Sequence, residues 1–167
     1  MSSGWKEIFI DDKLFCNHYF SSVEAMNIIV THTPVVTTLE MQQAYMPFEN
    51  FSVNIFAFDF SGSGKSGGSA KAFSRESIVK DLDPVVAYIE SNFSSNIHLY
   101  GNTGIGGMFA QYYATTSSKI RSFAQFACVR YKDTAGRYGL SLSYSKNVGF
   151  LVASFAEYEF PLKAAKI

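Results

Sequence analysis

The segment "IHLYGNTGIGGMFAQYYA", residues 97–114, has the composition of a strand, a glycine turn and a helix in direct succession. A sharp turn between a strand and a helix exposes the residue at its apex, and such turns commonly present a nucleophilic hydroxyl. Thr103 supplies the hydroxyl at this apex, and Gly104 is the alternative apex residue, without a side chain. The pattern predicts either nucleophilic chemistry by Thr103 or a glycine-rich packing turn without chemistry.

A second glycine-rich stretch, "FDFSGSGKSGG", contains the Gly-Lys-Ser sequence that ends phosphate-binding loops. Such a loop needs a glycine five positions before the glycine that precedes the lysine, and it opens directly into a helix. The position five before Gly64 is Asp59, a carboxylate that repels phosphate, and two more glycines follow instead of a helix. Nucleotide binding through Lys65 is therefore disfavoured, and a flexible turn explains these residues.

Alternating strands and helices are needed to position these two turns. An opening hairpin is predicted around the two aspartates Asp11 and Asp12. Short apolar, β-branched or aromatic runs predict strands at 27–32, 52–58, 96–100 and 120–129. This alternation is typical of an α/β fold with a mostly parallel sheet flanked by helices.

Helices are predicted between these strands. The stretch "TLEMQQAYMPF" has helical composition, and Pro47 marks its end. Ser74 is the predicted N-cap of the next helix, which continues through Pro84. Its apolar residues recur at spacings of four, three and four and predict one buried stripe: Ile78, Leu82, Val85 and Ile89.

Bulk composition narrows the function classes. Of the 167 residues, 47% are hydrophobic and 17% charged, which is typical of one globular domain. Lys+Arg and Asp+Glu are both 14, so charge gives no reason to expect nucleic acid as a partner. We expect no membrane span, no cofactor and no metal site. Two isolated cysteines, Cys16 and Cys128, predict buried thiols in a reducing, cytoplasmic compartment.

Three landmarks together resemble the α/β-hydrolase fold superfamily. They are the "D-x-x-G-x-G-x-S" turn from Asp59 to Ser66, the strand–turn–helix at 97–114, and the turn at His32 after "NIIVT". The resemblance covers roughly residues 5 to 130 and looks closest to the serine-hydrolase, lipase-like branch with a cap. It implies an incomplete α/β-hydrolase fold, with 1–130 as the N-terminal part of the core and 131–167 as the truncated start of a cap.

The resemblance implies a nucleophile elbow of the form G-x-S-x-G, and the sequence departs from it. In one frame Gly101 opens the motif and Thr103 is the nucleophile, but the fifth position is Ile105. In the other frame Gly106 and Gly107 close the motif, and Gly104 takes the nucleophile position. The turn behaves as though one residue had been inserted.

The resemblance also implies an oxyanion hole and a catalytic triad. The oxyanion hole would use backbone amides near Thr33 and Ile105, with His32 at the same turn. Pro34 has no N–H to donate, which puts one donor in doubt. The triad order is nucleophile, acid, histidine, yet no histidine follows Gly104. A threonine without a base is a poor nucleophile.

The predicted strand at 120–129 would lie at the edge of the sheet if no further strands follow. An apolar edge of this kind favours pairing with a second copy or with a complementing chain. The sequence thus resembles the front part of a larger protein.

Two function hypotheses remain. The first is a relative of hydrolases of esters or other acyl substrates, weakly active or inactive, with Thr103 as nucleophile and a base from another chain. The second is a noncatalytic module that binds a small apolar or acyl ligand, or a protein partner, on the same fold.

Overall fold

A computed structural model describes residues 4–33, 36–69 and 75–126 of the chain. Within these residues the strands are β1 (Gly4–Ile10), β2 (Leu14–Phe20), β3 (Met26–Thr31), β4 (Val53–Phe58), β5 (Ile97–Asn102) and β6 (Ile120–Phe126). The helices are α1 (Gln42–Tyr45), a 3-10 helix (Met46–Asn50), α2 (Arg75–Asn92) and α3 (Thr103–Thr116). The predicted cap region and Cys128 lie outside the described residues.

The six strands of the described residues form one sheet in the order β1-β2-β4-β3-β5-β6. Strand β2 is antiparallel to β1 and to β4, whereas β3 is parallel to β4 and β5, and β5 is parallel to β6. The predicted fold class, an α/β arrangement with a mostly parallel sheet and flanking helices, is confirmed.

The opening hairpin forms as predicted. Strands β1 and β2 pair in register from Gly4 opposite Phe20 to Ile10 opposite Leu14. Both turn aspartates have positive φ, 50° at Asp11 and 52° at Asp12, a conformation that Asp tolerates in tight turns.

Each face of the sheet has its own hydrophobic core. Helices α2 and α3 cover one face, where the predicted stripe of α2 is completely buried: Ile78, Leu82, Val85 and Ile89. The segment that contains α1 and the 3-10 helix covers the other face around Tyr45 and Ile55. Buried apolar surface on both sides stabilises the parallel strands.

The predicted helix before Pro47 is much shorter than its composition suggests. Helix α1 contains one turn and ends at Tyr45, and Pro47 lies inside the following 3-10 helix. The backbone leaves the α region at Tyr45, with φ −126° and ψ −23°, whereas Met46 directly before Pro47 keeps α geometry with φ −55° and ψ −34°. Helix α2, by contrast, continues through Pro84 as predicted. Its predicted N-cap, Ser74, lies outside the described residues.

Helix α3 begins three residues earlier than its glycine pair suggests. It starts at Thr103, directly after the last residue of β5, so Thr103 and Gly104 both lie in its first turn.

Among the described residues β6 pairs with β5 alone, and Phe126 at its end is 64% exposed. No helix in the described ranges is long and apolar enough to cross a membrane.

Candidate functional site

The carboxyl ends of β3 and β5 form the point where the chain changes direction in the sheet. The chain leaves β3 towards β4, returns across β3 to β5, and the helical segments that follow β3 and β5 lie on opposite faces. In open α/β sheets, ligands bind in the crevice at such a switch point. The turn between β5 and α3 lies at this switch point.

Glycines bring the start of α3 into direct contact with both strands. A Cβ atom on Gly101 would lie 2.4 Å from the Cα of Gly107, and one on Gly106 would lie 2.7 Å from the Cα of His32. The Thr31 hydroxyl donates a hydrogen bond to the Gly106 carbonyl oxygen at 2.7 Å. Small residues are therefore required here for packing, whatever chemistry the turn performs.

Asn102 joins β5 to α3. Its backbone is extended, with φ −98° and ψ 134°, and it is the N-cap residue of α3 without a side-chain cap hydrogen bond. The residue is 3% exposed, and its amide nitrogen Nδ2 has no hydrogen-bond partner among the described residues. No acidic residue lies in the first turn of α3. The first backbone N–H groups of this helix therefore have no carboxylate of that turn beside them.

Thr103 and Gly104, the two candidate nucleophile positions, are the first two residues of α3. Ile105, a predicted oxyanion donor, is the third. The backbone amides of these residues are among the four that an α-helix cannot satisfy internally. The side chains at these three positions lie outside the described residues, so the choice of Thr103 as nucleophile stays a prediction.

His32 is directed towards the end of β4 and away from β5. Its Nε2 lies 3.0 Å from the Phe58 carbonyl oxygen and 3.6 Å from Asp59 Oδ1, and its Nδ1 lies 2.9 Å from the Thr33 carbonyl oxygen. The side chain is 1% exposed. Both ring nitrogens are thus occupied by the protein, which favours a role in fixing the turn over a role as a base.

Asp59 organises the glycine–serine loop after β4. Its Oδ1 accepts a hydrogen bond from the Thr38 N–H at 2.7 Å, and its Oδ2 accepts one from the Lys65 N–H at 3.0 Å. Burial raises the pKa of this carboxyl, but contact with His32 and the two N–H bonds outweigh burial and hold the pKa below its usual value. Asp59 is an ionised structural residue.

The other two histidines are also placed away from the β5–α3 turn. His18 on β2 stacks on Phe56 with ring centroids 4.3 Å apart, and burial, with the nearby Lys6, lowers its pKa to about 4. His98, at the amino end of β5, contacts Ser122 Oγ at 2.8 Å and Asn96 Oδ1 at 3.0 Å. Within residues 4–33, 36–69 and 75–126, no imidazole is placed as a free base for this turn.

Lys65 and its loop do not form a phosphate site. The Lys65 ammonium pairs with the Glu7 carboxylate at 2.7 Å and lies over the Phe15 ring, 4.7 Å from its centroid. The Lys65 N–H donates to Asp59, whereas a phosphate-binding loop would direct this N–H to the ligand. The geometry agrees with the turn predicted from sequence.

Several solved structures share this arrangement of strands and helices. An esterase of Pyrococcus furiosus superposes with a TM-score of 0.66 at 20% identity, covering 92% of this chain and 63% of the esterase. A proline iminopeptidase-related protein of Thermus thermophilus gives 0.65 at 18% identity, covering 98% and 59%. A predicted CIB-like hydrolase of Thermoplasma acidophilum gives 0.62 at 13% identity, covering 92% and 84%.

The chain has the α/β-hydrolase fold. At these identities the likeness establishes the fold and leaves the activity open. This chain spans less than two-thirds of the length of the first two proteins, in agreement with the predicted N-terminal part. No family model and no curated protein matches the sequence.

The three sequence landmarks coincide with the turns that follow β3, β4 and β5. The turn after β3 carries His32 and Thr33, whose carbonyl oxygen also accepts a hydrogen bond from the Val36 N–H at 2.9 Å. Pro34, whose missing N–H weakens the predicted oxyanion hole, lies outside the described residues. The oxyanion roles of His32, Thr33 and Ile105 therefore stay predictions.

Sequence reasoning missed Asn102 as a functional candidate. In the sequence, Asn102 is the variable position between Gly101 and Thr103 in the first frame of the motif. Asn is a favoured N-cap residue, and this preference was the available signal. That the amide is buried and unpartnered depends on strands and helices distant in sequence, so no local pattern could indicate it.

Proposed function

We propose that this chain is an acyl-binding relative of the ester hydrolases, with weak turnover or none by itself. Its ligand site lies at the carboxyl ends of β3 and β5, and its candidate nucleophile is Thr103. A ligand's acyl oxygen would lie at the first turn of α3, near the backbone amides of Thr103, Gly104 and Ile105.

One observation carries this proposal: the N-terminus of α3 packs directly against the end of β3. The close approach of Gly106 to His32 holds the helix start at the switch point of the sheet. Unsatisfied N–H groups at a helix start bind anions and polarised oxygens, and no side-chain carboxylate of that turn competes for them. The similarity to hydrolases, which include an esterase, supports the acyl class of ligand.

Weak turnover is proposed because the described residues offer no base. His32 is held between two carbonyl oxygens and Asp59, and His98 and His18 lie elsewhere in the sheet. A hydroxyl without a neighbouring base attacks poorly near neutral pH. Loss of a triad histidine costs on the order of a millionfold in turnover.

Hydrolysis of p-nitrophenyl butyrate by the purified chain tests the catalytic part of the proposal. We expect a low rate above the blank that falls to the blank in Thr103→Ala. Thr115→Ala is the matched control, because it removes the same hydroxyl from the last turn of the same helix, where it donates to the Tyr112 carbonyl oxygen. Equal hydrolysis rates in the two variants would show that Thr103 is not the nucleophile.

The alternative is a noncatalytic ligand-binding module on the same fold. The engagement of both His32 nitrogens by the protein favours it. No hydrolysis above the blank, together with unchanged affinity of Thr103→Ala for an acyl ligand in ligand-detected NMR, would select this alternative. Absence of both hydrolysis and binding would reject the acyl proposal.

A further inference from the structure

A cavity of about 150 Å³ lies at the carboxyl edge of the sheet beside β4, two strands away from β5 and the proposed acyl site. It is bordered by the turn between β1 and β2, the loop after β4 and the first turns of α2. Its lining is polar or small and includes Lys13, Ser61, Gly68, Ser77, Lys80 and Asp81. A water molecule takes up about 30 Å³ in the liquid, so the cavity has room for a small polar ligand.

Backbone hydrogen bonds fix the walls of this cavity. The Gly67 N–H donates to the Lys13 carbonyl oxygen at 3.0 Å, and the Gly62 N–H donates to the Gly67 carbonyl oxygen at 3.0 Å. These bonds join the β1–β2 turn to the loop after β4. Gly68 has φ +103°, and a Cβ atom there would lie 3.3 Å from Ser61 Cβ and 3.6 Å from Lys13 Cε. The lack of a side chain at Gly68 therefore keeps this space open.

Asp81 supplies a carboxylate to the cavity, and its side chain is only 4% exposed. Its Oδ2 accepts a hydrogen bond from the Ser61 N–H at 2.8 Å. Its Oδ1 accepts one from the Ser61 hydroxyl at 2.5 Å and lies 3.7 Å from Lys13 Nζ. An ionised carboxylate has about four acceptor positions, so one remains after these three contacts. Asp81 can accept one more hydrogen bond, from a ligand in the cavity.

A second ammonium group at the cavity has no counter-ion. The Lys13 ammonium faces Asp81, whereas Lys80 takes part in none of the ion pairs and hydrogen bonds of residues 4–33, 36–69 and 75–126. Glu76, the acidic residue in the first turn of α2, does not line the cavity. The lining thus carries two positive charges and one negative charge, and Ser77 adds a hydroxyl group. This excess of positive charge favours an anion.

We propose that this cavity binds inorganic hydrogen phosphate, at a site independent of the proposed acyl site. The phosphate oxygens accept hydrogen bonds from the Lys13 and Lys80 ammonium groups, and the P–OH group donates to Asp81. Sulfate has the same tetrahedral shape but no proton to donate, so one of its oxygens would face the Asp81 carboxylate. The loop after β4 contributes one wall and does not wrap the ion with its backbone, since the Lys65 N–H donates to Asp59.

Isothermal titration of the whole chain with sodium phosphate and with sodium sulfate, at pH 7.5 and constant ionic strength, tests the proposal. Lys80→Gln removes the unpaired ammonium from an exposed position of α2, so folding is retained. Lys6→Gln is the matched control, because it removes the same charge from β1, outside the cavity. Asp81→Asn replaces one carboxylate oxygen with an N–H₂ group and keeps an oxygen that can accept from Ser61.

We expect the wild type and Lys6→Gln to bind phosphate with equal affinity and about tenfold or more tightly than sulfate. Lys80→Gln should bind phosphate about tenfold or more weakly than the wild type, because a hydrogen bond between two charged groups is lost. Asp81→Asn should bind the two ions with similar affinity, because its N–H₂ group can donate to either.

Absence of phosphate binding to the wild type would overturn the inference. Equal affinity of the wild type for phosphate and sulfate would identify a general anion site and would overturn the assignment to hydrogen phosphate. Equal losses of phosphate affinity in Lys80→Gln and Lys6→Gln would show that net charge attracts the ion, and would overturn its placement in the cavity. These comparisons decide the matter even if Asp81→Asn does not fold.

Discussion

Two turns at the carboxyl edge of the same sheet differ in whether their buried polar side chain has hydrogen-bond partners. After β4, the Asp59 carboxylate is 1% exposed and is contacted by His32, the Thr38 N–H and the Lys65 N–H. After β5, the Asn102 amide is 3% exposed, and its nitrogen contacts no acceptor in the described part of the chain. The two strands are separated only by β3.

The difference indicates that the two turns have different roles. A buried group whose partners all come from the protein stabilises the fold and has nothing left for a ligand. A buried group without a partner contributes no stability and can be satisfied when a ligand arrives. The β4 turn therefore stabilises the fold through Asp59, whereas the β5 turn is the one that we propose for ligand binding.

The largest expected effect comes from Gly64→Ala in the structural turn. Gly64 has φ +50°, and a Cβ atom there would lie 2.0 Å from Asp59 Oδ2. Left-handed strain and displacement of the carboxylate should together lower the free energy of unfolding by about 4 kcal/mol. Urea denaturation followed by circular dichroism measures it.

Gly67→Ala is the control for that substitution. Its Cβ would meet only ordinary contacts, the nearest being Lys13 Cγ at 3.6 Å. The free energy of unfolding should change by less than about 1 kcal/mol. Similar losses in both variants would mean that the loop as a whole, and not the Asp59 contacts, sets the stability.

Asp59→Asn is the second prediction and breaks the structural turn directly. The new N–H₂ group cannot accept the hydrogen bond from the Lys65 N–H that Asp59 Oδ2 accepts. The free energy of unfolding at pH 7 should fall by about 3 kcal/mol.

The pH dependence of that variant checks the charge on Asp59. Because its folded-state pKa lies below its unfolded value, Asp59 stabilises the fold above the unfolded pKa of about 3.9. This stabilisation is lost as the pH falls through the folded-state pKa. The wild type should lose more stability than Asp59→Asn below about pH 4, and parallel profiles would contradict an ionised Asp59.

The third prediction concerns His18→Phe, which tests a second residue whose protonation makes the stability depend on pH. The folded-state pKa of His18, about 4, lies below the unfolded value of about 6.5, so the unfolded chain binds the proton first. Stability should therefore fall by about 3 kcal/mol as the pH falls from 6.5 to 4, and His18→Phe should lose this slope. Thermal unfolding at closely spaced pH values measures it.

Asn102→Leu should have the smallest effect on stability. It removes a buried donor that has no partner and that makes no cap hydrogen bond. The free energy of unfolding should stay within about 1 kcal/mol of the wild type or rise slightly. A loss as large as that of Asp59→Asn would show that the two turns are alike, and the comparison between them would fail.

The predictions from sequence were most accurate where the pattern is periodic. The apolar stripe of α2 is buried as predicted. The predicted strands at 27–32 and 52–58 differ from β3 and β4 by no more than one residue at either end. Predictions failed where tertiary packing replaced local preference. Helix α1 is a single turn, and α3 begins at Thr103 rather than at its glycine pair.

Local sequence patterns were enough to predict the order of the strands and helices along the chain and the positions of both turns. Apolar periodicity, glycine and proline act over a few residues, so they can be recognised locally. It is tertiary packing that gives the Asp59 carboxylate its hydrogen-bond partners and leaves Asn102 Nδ2 without one. A buried group's partners come from residues far away in the chain, such as Thr38 for Asp59, so neighbouring strands and helices decide which buried groups are satisfied.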